Sequence, residues 1–298
     1  MFLTIFTPIY NRERYVNRLF DTIEKQEYKD FEWIIINDGS TDKTEEKIKN
    51  KIKSKEFSVP ITFITTANEG KQRAINKAVS IAKSKYFFIL DSDDTLFPTT
   101  TKLINKWCEE IEQLPNYKKY AGVSGLRITQ QGNYLSGIGV RKKKYIDASN
   151  LERYKYNLEG DMAEVYKTSI LKCFPFKVFK NENFVSEETV WNKIASKGYI
   201  IRWHLSPIYI GEYLSDGLTK NAVKRDIKNY QGLIFQTKES IRLKPFKKRI
   251  LAIGYFVNIS RKKGYSFDKI NKYINISRIN LFICYNIWRV FDTVKSFV

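Results

Sequence analysis

The sequence predicts an α/β protein with a mostly parallel sheet flanked by helices, followed by a basic helical C-terminal extension. Three observations support this fold class. Short apolar runs alternate with amphipathic stretches over the first 100 residues. The loops between them are short, and strand–helix alternation of this kind is typical of a parallel sheet covered on both faces. Positive charge then accumulates towards the C-terminal end.

The predicted strands are short runs rich in Ile and Phe, and the predicted helices carry apolar residues on one face. The strands cover residues 2–7, 31–37, 59–65 and 86–90, and the helices between them cover residues 14–26, 42–53 and 71–83. Further along, we predict helices over 99–114 and 188–197 and strands near 121–129, 199–203 and 207–213. Ligands of such sheets bind beyond the carboxyl ends of the strands, so the loops after the strands are the first place to look for a site.

The charge distribution divides the chain near residue 220. Residues 220–298 hold 18 basic and 4 acidic residues, a net charge of +14, whereas the first 219 residues carry only +6 of the total of +20. We therefore predict a catalytic domain over residues 1–220 and a basic, aromatic-rich helical segment over residues 221–298. Such a segment is attracted to an anionic surface, either a membrane or a nucleic acid.

Composition excludes several classes of protein. Hydrophobic residues make up 43% and charged residues 28% of the chain, which is typical of a packed core and not of a disordered chain. No apolar run reaches the roughly 18 residues that span a bilayer, and the first residues lack the features of a signal peptide. Cys108, Cys173 and Cys284 are far apart and form no C-x-x-C pair, so we expect buried thiols in a reducing, cytoplasmic setting.

Acidic residues follow two of the predicted strands. Asp91 and Asp93 come directly after the fourth strand, and their carboxylates can converge on a hard divalent cation that also binds phosphate oxygens. A solvated turn that caps the next helix is the alternative. Asp38 follows the second strand and could accept hydrogen bonds from a ribose hydroxyl or a base N–H. It could also, with Asp42, only organise the turn.

The other two loops carry a ring and several donors. Thr7, Pro8 and Tyr10 form a rigid turn whose ring could pack against a base, or a plain connection between strand and helix. Lys71 and Arg73 could neutralise phosphate, or lie in a solvated first helical turn.

Three ordered motifs resemble those of the family 2 glycosyltransferases, which have the Rossmann-like GT-A fold. The motifs are TIFTPIYNRERYV, EWIIINDGSTDKT and ANEGKQRAINKAVSIAKSKYFFILDSDD, and the resemblance continues more weakly to about residue 220 through FVSEETVWNKIASKGYII and PIYIGEYLSDGLT. It implies a metal-dependent hexosyltransferase that uses a nucleotide-diphospho-sugar, usually a UDP-sugar, with Mn²⁺ or Mg²⁺.

The resemblance also assigns residues to roles. Asp93 matches the direct metal ligand of the D-x-D motif, and Asp91 matches the residue that helps to hold the metal or the ribose. Asp38 matches the acid that contacts the uridine. The remaining residues expected at the nucleotide-sugar site are Thr7, Pro8, Tyr10, Asn68, Gly70, Arg73 and Ser92.

The resemblance places the catalytic base at Glu187, by alignment on Trp191. Ser186 stands where the family has its first acid, and Glu188 could serve as the base instead. The two glutamates could also merely begin a helix, favoured by its dipole. The loop YLSDGLT carries Asp216 where many relatives have a histidine, so contacts from Asp216 or Thr219 stay undecided. The chain's one histidine, His204, we interpret as a packed residue.

Together these features predict an inverting transfer from a UDP-sugar to an acceptor hydroxyl of a bacterial surface polysaccharide or glycoconjugate, with a lipid-linked acceptor. A nucleotide-sugar-binding protein without catalysis is the alternative. A nucleic-acid-binding protein is disfavoured, because the acidic strand-end loops would repel phosphate. The basic segment suits the inner face of an anionic membrane, or it packs on the enzyme or on a second copy in a homodimer.

Overall fold

The computed structural model of the protein describes residues 1–54, 56–140, 143–211 and 221–296. Its chain forms two compact units. The first comprises Met1–Pro175 and Lys193–Glu212, and the second comprises Phe176–Asn192 and Tyr213–Val298. A catalytic role for residues 1–220 as a whole stays a prediction.

The first unit begins with the predicted alternation of strands and helices. Its elements are β1 (Leu3–Ile9), α1 (Val16–Glu24), β2 (Phe31–Asp38), α2 (Thr44–Ser54), β3 (Ile61–Thr66), α3 (Lys71–Ile81) and β4 (Tyr86–Ile89). Every residue of β2 and β4 is buried, as expected for strands covered on both faces. In α1 the buried residues include Val16, Leu19, Phe20 and Ile23, the apolar stripe that the sequence predicts.

Nine strands in the described part of the chain form one sheet. The later elements are β5 (Thr95–Leu96), α4 (Thr100–Glu112), β6 (Tyr120–Ile128), β7 (Tyr145–Ala148), β8 (Met162–Lys167), α5 (Thr168–Cys173), α6 (Glu188–Ala195) and β9 (Ile200–Ile210). The strand order is β3-β2-β1-β4-β8-β6-β9-β5, with β7 beside β9. Pairing is parallel from β3 to β4 and between β6 and β9, and antiparallel at the other four pairs.

The two strands predicted near 199–203 and 207–213 form one strand, β9. Pro207 suggests a break because proline cannot donate to a sheet ladder. The structure instead accommodates Pro207 at a shift of register, where Ser124 pairs with Trp203 and Leu126 pairs with Pro207. The prediction of two strands is therefore wrong, since a bulge absorbs the missing N–H donor.

Large aromatic residues fill the core of the first unit. Phe20 packs edge-on against Trp33 at 4.8 Å between ring centroids, and Phe88 packs against Tyr209 at 6.0 Å. Cys108 is buried in the same cluster, but Cys173 is exposed. The expectation of a buried thiol is thus wrong for Cys173, which lies at the exposed last position of the short helix α5.

Five further helices make up most of the second unit. They are α7 (Ala222–Lys228), α8 (Tyr230–Leu243), α9 (Phe246–Lys262), α10 (Phe267–Ile274) and α11 (Arg278–Ser296). Their buried faces form a separate apolar core that includes Leu233, Phe256, Ile270 and Leu281. Across the described residues, none of the helices combines the length and the apolar character needed to cross a bilayer.

The segment 176–192 joins this helical core. The carboxylate of Glu182 accepts hydrogen bonds from the backbone N–H groups of Gln231 at 2.7 Å and of Gly232 at 2.8 Å. These two groups lie in the first turn of α8, where N–H groups have no partner within the helix. The Glu182 carboxylate therefore caps α8 and fixes the segment against it.

Candidate active site

The carboxyl ends of the first four strands meet at one edge of the sheet. Neighbouring strands pair Ile9 with Asn37, Asp38 with Thr66 and Phe6 with Ile89. The loops that follow these strands, residues 10–13, 39–43, 67–70 and 90–94, therefore lie side by side. This juxtaposition is the one that the strand–helix alternation predicts.

Hydrogen bonds join the first loop to the second. Asn11 adopts a left-handed backbone conformation with φ of 50°, and its N–H donates to Ser40 Oγ at 2.9 Å. The N–H of Glu13 donates to Asp42 Oδ2 at 3.1 Å, and the N–H of Thr44 donates to Asp42 Oδ1 at 3.0 Å. Burial acts to raise the pKa of Asp42, but these hydrogen bonds lower it overall. Asp42 is thus an organiser of the turn.

Asp38 joins the second loop to the third. Its Oδ1 accepts from the N–H of Glu69 at 2.8 Å and its Oδ2 accepts from the N–H of Gly70 at 2.9 Å. Burial raises the pKa of Asp38 even though both hydrogen bonds favour the charged form. A carboxylate has about four acceptor positions, so two backbone donors leave Asp38 able to accept further hydrogen bonds.

Two glycines permit this close approach. Gly70 has a φ of 97°, a conformation that side chains disfavour. At Gly39 a Cβ atom would lie 2.7 Å from the backbone nitrogen of Asn68. Asn68 itself is exposed, and the Arg73 guanidinium donates to the carbonyl oxygen of Glu69 at 2.7 Å. The predicted residues of the third loop therefore lie together beside Asp38.

The predicted residues of the first loop differ in accessibility. The Tyr10 side chain is 43% exposed at the open edge, and Pro8 is half-buried. Thr7 is fully buried, and its hydroxyl accepts a hydrogen bond from Trp33 Nε1 at 3.1 Å. The structure thus brings Tyr10 to the edge and leaves the Thr7 side chain in the core, where it ties β1 to β2.

Asp91 is held between two cations. Lys71 Nζ lies 2.6 Å from Asp91 Oδ1, and Arg127 Nη1 lies 3.6 Å from Asp91 Oδ2. Burial acts to raise the pKa of Asp91, but the charges of Lys71 and Arg127 lower it overall. Since Lys71 directly follows Gly70, this ion pair connects the third loop to the fourth.

The negative charges of Asp93 and Asp94 are compensated less fully than that of Asp91. Arg12 Nε lies 3.6 Å from Asp93 Oδ2, and Arg18 donates to the carbonyl oxygen of Asp93. Burial and the charge of Asp91 raise the pKa of Asp93. The same two causes, burial first, raise the pKa of Asp94 to about 7. Negative charge is therefore concentrated in this turn. Ser92, between Asp91 and Asp93, is buried.

The chemistry of this turn fits a hard divalent cation. Its donors are the carboxylate oxygens of Asp91 and Asp93, a ligand type that Mg²⁺ and Mn²⁺ prefer. Among the described residues no cluster of three or more His, Cys, Asp or Glu could hold a metal ion. Asp91 and Asp93 could supply one or two ligands to such an ion, with water and phosphate oxygens as the others.

Arg127 and Tyr209 belong to this site, although the sequence analysis assigned them no role there. The Arg127 guanidinium lies 3.9 Å from the Tyr209 ring centroid, and Arg127 Nε donates to the carbonyl oxygen of Met162 at 2.8 Å. The N–H of Asp91 donates to the Tyr209 hydroxyl at 2.9 Å. The available signal was an arginine near the end of the apolar strand β6, and only the sheet pairing brings it to Asp91.

Glu187 and Glu188 lie in the second unit, at the beginning of α6. The carbonyl oxygen of Glu187 accepts from the N–H groups of Val190 and Trp191, at 3.0 and 3.2 Å. Lys244 Nζ lies 2.8 Å from the Glu188 carboxylate. Glu188 is thus engaged in an ion pair within its own unit. The assignment of the base to Glu187 stays a prediction.

The remaining predictions concern a loop and a histidine. Asp216 and Thr219 lie outside the described residues. His204 is buried and stacks on Trp107 with 4.0 Å between ring centroids. Burial and the neighbouring charge of Arg202 lower the pKa of His204 to about 3. The interpretation of His204 as a packed residue is therefore confirmed.

Sequence comparison decides the family. The sequence profile of the family described as Glycosyl transferase family 2 matches residues 4–179. The chain belongs to this family. An uncharacterized glycosyltransferase of Rickettsia bellii is 32% identical over 46% of this chain and 18% of its own length. The GalNAc(5)-diNAcBac-PP-undecaprenol beta-1,3-glucosyltransferase of Campylobacter jejuni is 26% identical over 74% of this chain and 70% of its own length. The chain thus spans less than a fifth of the length of the Rickettsia bellii protein.

Solved structures confirm the predicted GT-A fold of this family 2 member. S. aureus TarS 1–349 in complex with UDP-GlcNAc superposes with a TM-score of 0.58 and 17% identity, covering 98% of this chain and 92% of that chain. The mannosyltransferase PcManGT from Pyrobaculum calidifontis, in complex with GDP-Man and Mn²⁺, has a TM-score of 0.57 and 17% identity, covering 96% and 87%. At this level of identity the likeness establishes the fold alone.

Proposed function

We propose that this family 2 protein transfers a sugar from a UDP-sugar to an acceptor hydroxyl of a bacterial surface polysaccharide or glycoconjugate, with inversion at the anomeric carbon. Two contacts carry the proposal. Lys71 forms an ion pair with Asp91, in the acidic turn that also contains Asp93. The residue before Lys71, Gly70, donates its N–H to Asp38. Similarity to a Campylobacter glucosyltransferase named for an undecaprenol-linked substrate and to a UDP-GlcNAc complex supports the substrate class.

The nucleotide of the donor binds, in this proposal, along the edge formed by the first three loops. The exposed ring of Tyr10, beside Pro8, offers a face on which uracil can stack. Asp38 keeps acceptor positions for a base N–H or a ribose hydroxyl. Asn68, Gly70 and Arg73 line the neighbouring loop. Thr7 and Ser92, whose side chains are buried, act through their backbone groups.

Asp93, with Asp91, holds Mn²⁺ or Mg²⁺ in this proposal. The bound cation supplies positive charge against the diphosphate that leaves. Arg12 and Arg127 orient the two carboxylates, from 3.6 Å each. The complex of the mannosyltransferase PcManGT, which is similar in fold, with GDP-Man and Mn²⁺ supports this choice of ion.

Glu187 removes the proton of the acceptor hydroxyl as that oxygen attacks the anomeric carbon. A single displacement of this kind, without a covalent intermediate, inverts the configuration. Glu188, which pairs with Lys244 at 2.8 Å, is the alternative base. Ser186 in place of an acid favours one alternative, a nucleotide-sugar-binding protein without catalysis.

We also propose a lipid-linked acceptor, and hence a cytoplasmic protein that acts at the inner face of the membrane. The charge of +14 over residues 220–298 supports attraction to anionic lipid. Nucleic acid is not a proposed partner, because the acidic edge would repel its phosphates. A homodimer stays a second proposal for the helical segment.

The test is donor turnover by the full chain. UDP release from a panel of UDP-sugars is measured with and without Mn²⁺ for the wild type, Asp93→Asn, Glu187→Gln and a control, Asp30→Asn, whose exposed carboxylate lies 3.8 Å from the N-terminal amine. We expect metal-dependent release that falls at least about 100-fold in Asp93→Asn and in Glu187→Gln, and full activity in the control. Glu187→Gln should still bind UDP.

Retained turnover in Asp93→Asn at an unchanged melting temperature contradicts the metal assignment. UDP binding without turnover in the wild type favours the non-catalytic alternative.

A further inference from the structure

Helix α11 has two apolar faces, and one of them is exposed. Leu281 and Cys284 belong to the buried core of the second unit. Trp288 packs closely on Gly254 of α9. A Cβ atom added to Gly254 would lie 2.2 Å from the Cβ atom of Trp288. Six further apolar residues of α11 have exposed fractions from 43% to 73%: Ile279, Phe282, Ile283, Ile287, Val290 and Phe291. We call these six residues the outer stripe.

The outer stripe is continuous along the helix. Ile279, Ile283, Ile287 and Val290 follow one another at spacings of four, four and three residues, which places them on one face of an α-helix. Phe282 and Phe291 flank this row. At 1.5 Å per residue the row is about 16 Å long. Contiguous exposed apolar surface of this kind marks an interaction site.

Positive charge borders the outer stripe. The rings of Phe267 and Phe282 lie 6.4 Å apart, and the Arg261 guanidinium lies 5.6 Å from the Phe267 ring. Arg278 pairs with Asp268, and Arg289 is exposed on α11 itself. Residues 246–296 hold eleven basic and two acidic residues. The helices α9, α10 and α11 together are therefore strongly basic.

Charge selects the occupant of this surface. A second copy of the chain would bring the same basic surface against itself, and like charges across an interface are unfavourable. An anionic bilayer offers the complementary charge together with an apolar layer. No described helix could cross that bilayer, so contact has to occur in the plane of the interface.

We propose that α11 lies on an anionic phospholipid bilayer with its outer stripe inserted at the boundary between headgroups and acyl chains. Arg261, Arg278 and Arg289 contact lipid phosphates around the stripe. The inference extends the proposed function by naming the surface that contacts the membrane, and it is tested without donor or acceptor.

The experiment is flotation of the full chain with vesicles of phosphatidylcholine alone or with 30% phosphatidylglycerol. Wild type is compared with Ile283→Asn/Val290→Asn and with a control, Ile138→Asn/Val140→Asn, whose two apolar side chains are also exposed but lie in the first unit. We expect wild type and the control to float with the anionic vesicles, and the stripe variant to bind at least 10-fold more weakly. Circular dichroism and the melting temperature show whether each variant is folded. If the double variant misfolds, Val290→Asn alone is used in its place.

Equal flotation of wild type and the stripe variant overturns the proposal. So does sedimentation of the wild type as a dimer that the stripe variant converts to a monomer, with no vesicle binding by either, because the outer stripe is then covered by a second copy. If the wild type floats with anionic vesicles but shows no donor turnover, the result counts against the proposed function and not against this inference.

Discussion

The two units use charge in opposite ways. In the first unit, the Asp91 carboxylate lies within 4 Å of two cations, Lys71 and Arg127. In the second unit, positive side chains are spread over helices, with 18 basic and 4 acidic residues over 220–298. Compensated charges at close range position groups for chemistry. Spread charges of one sign instead attract an extended partner of the opposite sign.

The largest effect expected from this difference is on stability. Arg127→Met removes a cation that lies 3.6 Å from Asp91 and 3.9 Å from Asp94. We expect the free energy of unfolding to fall by about 3 kcal/mol, because the buried carboxylate of Asp94 loses this cation and Asp91 keeps only Lys71 of its two cations. Arg127→Lys should recover part of this loss. Urea denaturation measures all variants.

The matched control is Arg242→Met in the second unit. Arg242 is an exposed residue that pairs with Glu239 at 2.6 Å, and a surface ion pair contributes at most about 1 kcal/mol. If both substitutions cost the same free energy, the contrast between compensated and spread charge fails.

The second effect concerns His204, which the first unit buries in its neutral form. Its pKa falls from 6.5 to about 3 on folding, through burial and the charge of Arg202. A base with a lowered pKa stabilises the fold fully above about pH 6.5, and this stability is lost as the pH falls towards 3. Between pH 7.5 and 5, we expect wild type to lose about 2 kcal/mol more than His204→Phe.

Urea denaturation across this pH range measures that difference. His204 is the chain's single histidine. Asp94, whose pKa is raised to about 7, is present in both proteins, so its contribution cancels in the difference between them. Parallel pH profiles for the two proteins count against a buried neutral imidazole.

The smallest effect is that of salt. Raising NaCl from 0.1 to 0.5 M shortens the screening length from about 10 Å to about 4 Å. We expect binding to anionic vesicles to weaken about 10-fold, whereas the free energy of unfolding changes by less than about 1 kcal/mol, because the ion pairs of the sheet edge are close and partly buried. Vesicle binding that does not respond to salt contradicts a role for the spread charges.

Local patterns were enough to predict the alternating part of the fold. The apolar stripe of α1 and the buried run of β2 depend on neighbouring residues, and the rule for strand ends then brings Asp38, Asp91 and Asp93 to one edge. The contact between Asp91 and Tyr209 joins residues 118 positions apart. It depends on how β9 pairs in the sheet, which no local pattern encodes.

The mistaken break at Pro207 and the grouping of residues 176–192 both depend on long-range contacts. Pro207 indicates a break in a strand, but a register shift between β6 and β9 absorbs it. The grouping of segment 176–192 with the C-terminal helices rests on Glu182 reaching N–H groups about 50 residues downstream. Long-range contacts of this kind decide which segment belongs to which unit, and they leave no periodic signal.

The cap that Glu182 places on α8 has a consequence for how this enzyme family member could be divided. Glu182, in the stretch that carries Glu187, accepts hydrogen bonds from the backbone N–H groups of Gln231 and Gly232. A truncated protein that ends before α8 would keep the carboxylates of the sheet edge. It would lose the backbone donors that bind Glu182, in the segment of the proposed proton acceptor Glu187. A fragment that retains the hydrogen bonds of Glu182 is therefore longer than residues 4–179, which the family profile matches.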